Sequence, residues 1–226
     1  MADVAIGEKI LDLKPQINTK QTAQTSLITT HWLTSNSPLF KMVVNDRAND
    51  FLNLLLAGGF IFYARHAEAT VGVDQPFLNF YDCTTQRNLS YIGKQQAIVY
   101  GQALRSLNIP IEDPVIASPF CRTTETATLA FEAESIAVIP FWAEVYRLAE
   151  NLQPIEEDQI LRSVTSALEL PPLRGTNKMI ISHSFPESLG LGRIPNMGTV
   201  IIKPYGRGLG YEVIGKLSLQ DWQSLS

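Results

Sequence analysis

Apolar positions along this chain fall into two kinds of run. Short runs without polar alternation, Phe60-Ile61-Phe62-Tyr63, Val115-Ile116-Ala117 and Met179-Ile180-Ile181-Ser182, have the pattern of strands buried on both faces. Longer stretches carry apolar residues at helical spacing. Asn49 to Leu56 places Phe51, Leu52, Leu55 and Leu56 on one side. Ser90 to Leu107 aligns Ala97, Tyr100, Gly101, Leu104 and Leu107, and Glu156 to Glu169 aligns Ile160, Leu161, Val164 and Leu168. A further helix is expected over Thr123 to Phe131 and a further strand over Ile136 to Ile139. A closing hairpin is expected from Val200–Lys203 and Tyr211–Val213 around the glycines between 206 and 210. Gly58-Gly59, Asn108-Ile109-Pro110 and Pro171-Pro172 supply the stops. Strands alternating with helices predict an α/β layer fold with a largely parallel sheet.

Residues 1–45 break this pattern. From Gln21 to Phe40 there is no charged residue, eight of the twenty positions are Ser or Thr, and no helical or strand period is sustained. The expected organisation is therefore an N-terminal extension over 1–45, partly ordered or draped over the core, and one domain over 46–226. The first residues carry acids and no apolar core of a secretory leader, and the longest low-charge apolar stretch, Phe51 to Ala64, is too short to span a bilayer. A cytoplasmic protein with no membrane partner is the expectation.

Composition changes the picture in two places. The net charge of −4 offers no general field for a nucleic-acid backbone, so no nucleic-acid partner is expected. The chain holds three histidines, His31, His66 and His183, too few for a multi-histidine metal site that does not recruit them all. No metal and no cofactor are called for.

The positions of the charged residues are more informative than their number. Arg65-His66 follows the first buried strand, Arg122 comes shortly after the second, and His183 ends the fourth. In open α/β sheets, sites form beyond the carboxyl ends of the strands. Two guanidinium groups and two imidazoles brought together there match phosphate oxygens and supply a nucleophile. A protonated second imidazole would stabilise charge spreading over the equatorial oxygens. An arginine beside a helix N-terminus is unfavourable unless an anion is held there, which points the same way.

Four segments then resemble a known family. Tyr63-Ala64-Arg65-His66-Ala67-Glu68 is similar to the Arg-His-Gly signature of the histidine phosphatase superfamily. Asn88-Leu89-Ser90-Tyr91-Ile92-Gly93 with Gln96-Ala97 is similar to its Leu-Ser/Thr-x-x-Gly-x-x-Gln-Ala stretch. Ala117-Ser118-Pro119-Phe120-Cys121-Arg122 with Glu125-Thr126-Ala127 is similar to its second arginine motif, and Ile181-Ser182-His183-Ser184 to its second histidine motif. The resemblance implies a three-layer α/β sandwich with a mostly parallel central sheet, phosphoglycerate mutase-like, behind the N-terminal extension. It implies a metal-independent phosphomonoester hydrolase acting on a small phosphorylated substrate. His66 would form phosphohistidine in a pocket of Arg65, Arg122 and His183. A non-catalytic phosphate-binding member and a phosphomutase are the alternatives. Ala67 and Ser184 stand where the family pattern has glycine, and Pro186 follows closely on His183.

The family's leaving-group acid is a glutamate in many members, and the spacing after Arg122 points to Glu144, with Glu68 and Glu187 also near a motif. Glu68 is a candidate substrate contact. Arg87, in the polar loop Asp82–Arg87, is either solvated or a substrate contact at the pocket mouth. Cys83 and Cys121 each flank a motif. They read either as two free thiols in a reducing compartment or as a disulfide at the rim of the site. Oligomeric state is unmarked.

Overall fold

The computed structural model describes residues 48–131 and 136–226. The expected extension over 1–45, with His31, lies outside the described residues. Six strands form one sheet: β1 (Ile61–Arg65), β2 (Val115–Ala117), β3 (Ile136–Val138), β4 (Lys178–Ser182), β5 (Thr199–Pro204) and β6 (Tyr211–Leu217). Their order is β3-β2-β4-β1-β5-β6. Parallel ladders join β3, β2, β4 and β1, while β5 runs antiparallel to both of its neighbours. Five of the six strands thus point the same way, and the sheet is mostly parallel as expected.

Helices cover both faces, which makes the three layers. On one side lie α1 (Ala48–Ala57), α2 (Tyr91–Ser106), α3 (Cys121–Phe131) and α6 (Leu219–Leu225). On the other lie α5 (Pro154–Leu168) and the segment formed by the 3-10 turn Pro140–Ala143 and the single-turn α4 (Glu144–Arg147). Strand β1 shows why its apolar run carries no polar alternation. Phe62 and Ala64 enter the core under α2, whereas Ile61 and Tyr63 enter the core under α5. Both faces of the strand are buried, so both sets of side chains are apolar.

Most expected elements are present with small shifts at their ends. Helix α3 begins at Cys121, two residues before its predicted start, which puts Arg122 inside its first turn. On α1, Leu55 is buried while Leu56 faces outward, so the apolar side is narrower than the sequence suggests. Gly58 and Gly59 follow α1 with φ of 77° and 100°, and a Cβ on Gly58 would run into the backbone of Gly175 and Thr176. Three elements carry no usable period because they are too short: the 3-10 turn Cys83–Thr85, the Pro140–Arg147 segment and α6. Trp222 of α6 is fully buried against Phe62, and its indole N–H donates to Thr199 Oγ1 at 3.1 Å.

Among the described residues no helix is long and apolar enough to cross a membrane.

Candidate functional site

The sheet order places the carboxyl ends of β2, β4 and β1 side by side, and Ser118, His183 and Arg65-His66 leave the sheet there. Arg65 is the last residue of β1 and pairs in register with Ser182, the last of β4. His66 N–H then donates to the Ser182 carbonyl at 2.9 Å, and Ser118 N–H donates to Ile181 at 3.0 Å. These bonds carry the ladder one step past the strands and fix where His66, Ser118 and His183 leave it.

The remaining motif residues hold this edge. Ser90 caps α2 by accepting from Gly93 N–H at 2.9 Å. Glu68 accepts the Ser90 hydroxyl at 2.7 Å, and its own N–H donates to Gln96 Oε1 at 2.9 Å. A Cβ on Gly93 would overlap the Glu68 backbone, which is why glycine stands in the first turn of that helix. Ala67 N–H donates to Thr126 Oγ1 at 3.1 Å, joining the first motif to α3. The observed contacts of Glu68 therefore tie the first motif to α2.

The two imidazole rings stand 5.5 Å apart, and both are almost fully buried. The Ala67 carbonyl lies 2.6 Å from His66 Nδ1. A carbonyl can only accept, so the assigned tautomer carries its proton on Nδ1 and leaves the Nε2 lone pair available. Burial, then the positive charges of Arg122 and Arg65, hold His66 well below the usual histidine range. The same causes, with His66 itself after burial, hold His183 well below that range. His183 Nε2 lies 2.9 Å from Ser118 Oγ, and its Nδ1 is buried without a partner. Burial and the neighbouring arginines therefore both oppose a charge on His183.

The two arginines are each held at Nη1. Arg65 Nη1 donates to the Ile194 carbonyl at 3.0 Å, and Ile194 N–H in turn donates to Ser184 Oγ at 2.8 Å. The hydroxyl of Ser184, at one of the positions that depart from glycine, thus helps place the loop that anchors Arg65. Arg122 Nη1 donates to Asp74 Oδ1 at 2.9 Å, in an ion pair whose side chains are 0% and 5% exposed. The Phe120 ring lies 4.3 Å from the Arg122 guanidinium carbon and the Tyr146 ring 5.2 Å. Arg65 Nε, Arg122 Nε and Arg122 Nη2 are buried with no hydrogen-bond partner. Buried donors are nearly always satisfied, so these N–H groups beside two histidines are chemically suited to hold an oxyanion, with the likewise unpartnered Asp74 Oδ2 next to Arg122.

More positive charge surrounds the pocket. Burial lowers Arg65 from its usual range, and repulsion from Arg87, Arg193 and Arg122 adds to it. Arg87 thus stands close to the arginine cluster, and its Nη1 reaches the Gly72 carbonyl at 3.5 Å. Arg65 and Arg193 also line a cavity of about 550 Å³ with Leu148, Phe185 and Glu187. Asp74 balances part of this charge. Burial raises its carboxyl, but the Arg87 N–H and the Arg122 charge outweigh that and keep it below the usual carboxylate range.

Glu144 is placed elsewhere. Its carboxylate bonds Arg147 at 2.6 Å, and it lines a surface cavity with Phe141, Glu156 and Ser163. Its described contacts include none with the two histidines or with Arg65 and Arg122. The cysteines also differ from two free thiols: Cys83 and Cys121 form a disulfide. That bond joins residues 38 apart in sequence and fastens the segment before Arg87 to the first residue of α3. Gln86 Oε1 strengthens the same junction by accepting Cys121 N–H at 2.9 Å. Asp74, Phe120, Tyr146, Ser118 and Arg193 also stand at this candidate site and were not among the residues expected there from sequence. Only Ser118 and Phe120 carried a signal, since both lie inside a motif.

No protein-family model matches the chain, and no curated protein matches it. Solved structures to which it is similar include the protein histidine phosphatase SixA complexed with tungstate. That structure is 15% identical and covers 71% of this chain and 97% of its own, with a TM-score of 0.45. The chain is also similar to phosphoserine phosphatase from Entamoeba histolytica in complex with 3-phosphoglyceric acid, at 14% identity, 72% and 98% coverage and a TM-score of 0.45. For the alpha-ribazole phosphatase from Shigella flexneri the figures are 13%, 66%, 98% and 0.42. Among the described residues no group of three or more His, Cys, Asp or Glu is arranged to hold a metal ion.

Proposed function

We propose that this chain hydrolyses phosphomonoesters through a phosphohistidine on His66, in the manner of the histidine phosphatases it resembles. The observation that carries the reading is His66, oriented by its Nδ1 contact with the Ala67 carbonyl, beside orphaned N–H groups of Arg65 and Arg122. In the first step the Nε2 lone pair forms a bond to phosphorus, and the bond from phosphorus to the ester oxygen breaks. In the second step a water oxygen bonds to phosphorus and the Nε2 pair returns to the ring, releasing inorganic phosphate. The guanidinium edges hold the equatorial oxygens throughout, and His183, in contact with Ser118, supplies a further donor.

Arg87 is kept as a substrate contact at the edge of this cluster. Glu68 keeps the same proposed role only through the backbone it positions. Glu144 has no part in this proposal, because its carboxylate pairs with Arg147. The test is hydrolysis of 4-nitrophenyl phosphate by the purified chain in EDTA, beside His66→Ala. The expected outcome is turnover in the wild type that EDTA does not remove, and its loss in the variant. Turnover that disappears with EDTA and returns with a divalent ion would end the metal-independent reading. The second reading, an oxyanion-binding protein without turnover, is favoured by Ala67 and Ser184 standing where glycine is common. It is distinguished by a melting temperature that rises with phosphate while no phosphoenzyme forms.

A further inference from the structure

The arrangement around Arg122 goes beyond a list of phosphate ligands. In a guanidinium group, Nε–H and the Nη2–H on the same side point in parallel and form the side-on edge that fits two oxygens of a phosphoryl group. Those are the two nitrogens of Arg122 that are buried and without a partner. The third, Nη1, is taken by Asp74 at 2.9 Å. Asp74 therefore engages the end of the guanidinium and leaves the side-on edge clear. An anion competing for the phosphate site would be expected to occupy the edge itself.

Two aromatic rings and two loop hydrogen bonds bound the pair. The Phe120 ring at 4.3 Å and the Tyr146 ring at 5.2 Å bound the guanidinium. Asp74 Oδ1 also accepts the Arg87 N–H at 2.8 Å, and the neighbouring Gln75 N–H donates to the Thr85 carbonyl at 2.9 Å. Thr85 ends the 3-10 turn that begins at Cys83, and Cys83 is bonded to Cys121, the residue before Arg122. The disulfide thus fixes the 83–87 segment beside Arg122, and two hydrogen bonds tie Asp74 and its neighbour Gln75 to that segment.

We propose that Asp74 is a positioning residue for phosphate recognition, which holds Arg122 by Nη1 so that its Nε–Nη2 edge meets two phosphoryl oxygens. This rests on the proposed phosphatase site but concerns oxyanion binding, which needs no turnover. The experiment measures the dissociation constants of orthovanadate and inorganic phosphate by calorimetry on the full, disulfide-bonded chain. Wild type is compared with Asp74→Asn, Asp74→Glu and Asp74→Ala. Asparagine keeps an acceptor at the same reach without the charge, whereas glutamate keeps the charge and displaces the acceptor. The expected order is Asn within about threefold of wild type, with Glu and Ala weaker by about tenfold or more, vanadate losing more than phosphate. Vanadate suffers more because its trigonal form depends on equatorial donors.

Glu or Ala binding as tightly as wild type would overturn the proposal, since a merely structural role leaves the affinity of the folded fraction unchanged. Tighter binding in Ala or Asn would overturn it in favour of a competing anion. If Ala does not fold, Glu decides alone. A wild-type protein that binds neither oxyanion would instead contradict the phosphatase site, and so separates the two failures.

Discussion

The two arginines of the pocket are held at the same atom by different chemistry. Arg65 gives Nη1 to a backbone carbonyl in a loop that Ser184 braces. Arg122 gives Nη1 to a carboxylate on a segment stapled to its own helix by a disulfide. A neutral anchor leaves the charge of Arg65 whole for an incoming anion. A charged anchor lets Arg122 be completely buried before any substrate arrives, at the first turn of a helix where a lone cation is disfavoured. The anion that such an arginine requires is already supplied by the protein on one side, and the other side stays available. One half of the site is therefore built on the β1 and β4 edge, the other on a cross-linked loop.

Removing each arginine breaks the comparison most strongly. Arg122→Ala leaves the Asp74 carboxylate buried and unpaired, a loss of about 3–5 kcal/mol of stability. Arg65→Ala leaves one carbonyl unsatisfied and costs about 1–3 kcal/mol. Urea denaturation of both variants checks the order, and equal losses would show that the two anchors do not differ. Opening the disulfide acts on one half only. The 38-residue separation corresponds to about 4 kcal/mol in the chain-entropy account. Cys83→Ser with Cys121→Ser should lower stability by that order and weaken phosphate binding. Thiol titration of the unfolded wild type without reductant should find no free cysteine.

The histidines sharpen the comparison further. Both have folded values well below the usual 6.5, so the unfolded chain binds more protons once the pH drops below that value. Stability contributed by each neutral ring is present above about pH 6.5 and is lost as pH falls, by about 1.4 kcal/mol per pH unit per ring. His66→Ala should reduce that slope by about half in a denaturation series. Arg122 acts on His66 more strongly than Arg65 does. Arg122→Gln should therefore raise the His66 titration midpoint more than Arg65→Gln, as followed by NMR of the ring protons. The smallest effect is expected at Glu144, outside both halves: Glu144→Gln should change turnover by less than about twofold.

The parts of the molecule readable from sequence are those written in consecutive residues. An apolar run followed by Arg65-His66, or by His183, gives both the strand and the placement of the charged group at its end. Ser90 and Gly93 mark a helix start by capping and close approach. Asp74 left no such mark. It lies 48 residues from Arg122 in a loop without period, and only the folded chain brings them together. The disulfide, Tyr146 and Arg193 are equally non-local. Glu144 shows the converse. A position chosen by spacing falls in a 3-10 turn and single-turn helix, and the local Arg147, three residues on, takes its carboxylate.

The central claim is that His66 carries the phosphoryl group. Rapid acid-free quenching after mixing with 4-nitrophenyl phosphate in EDTA, followed by peptide mass spectrometry, tests it most directly. The account predicts a phosphoryl adduct on the peptide containing His66 in the wild type and none in His66→Ala, whose turnover falls by at least about a thousandfold. A His66→Ala variant that still hydrolyses the ester at the wild-type rate would contradict it.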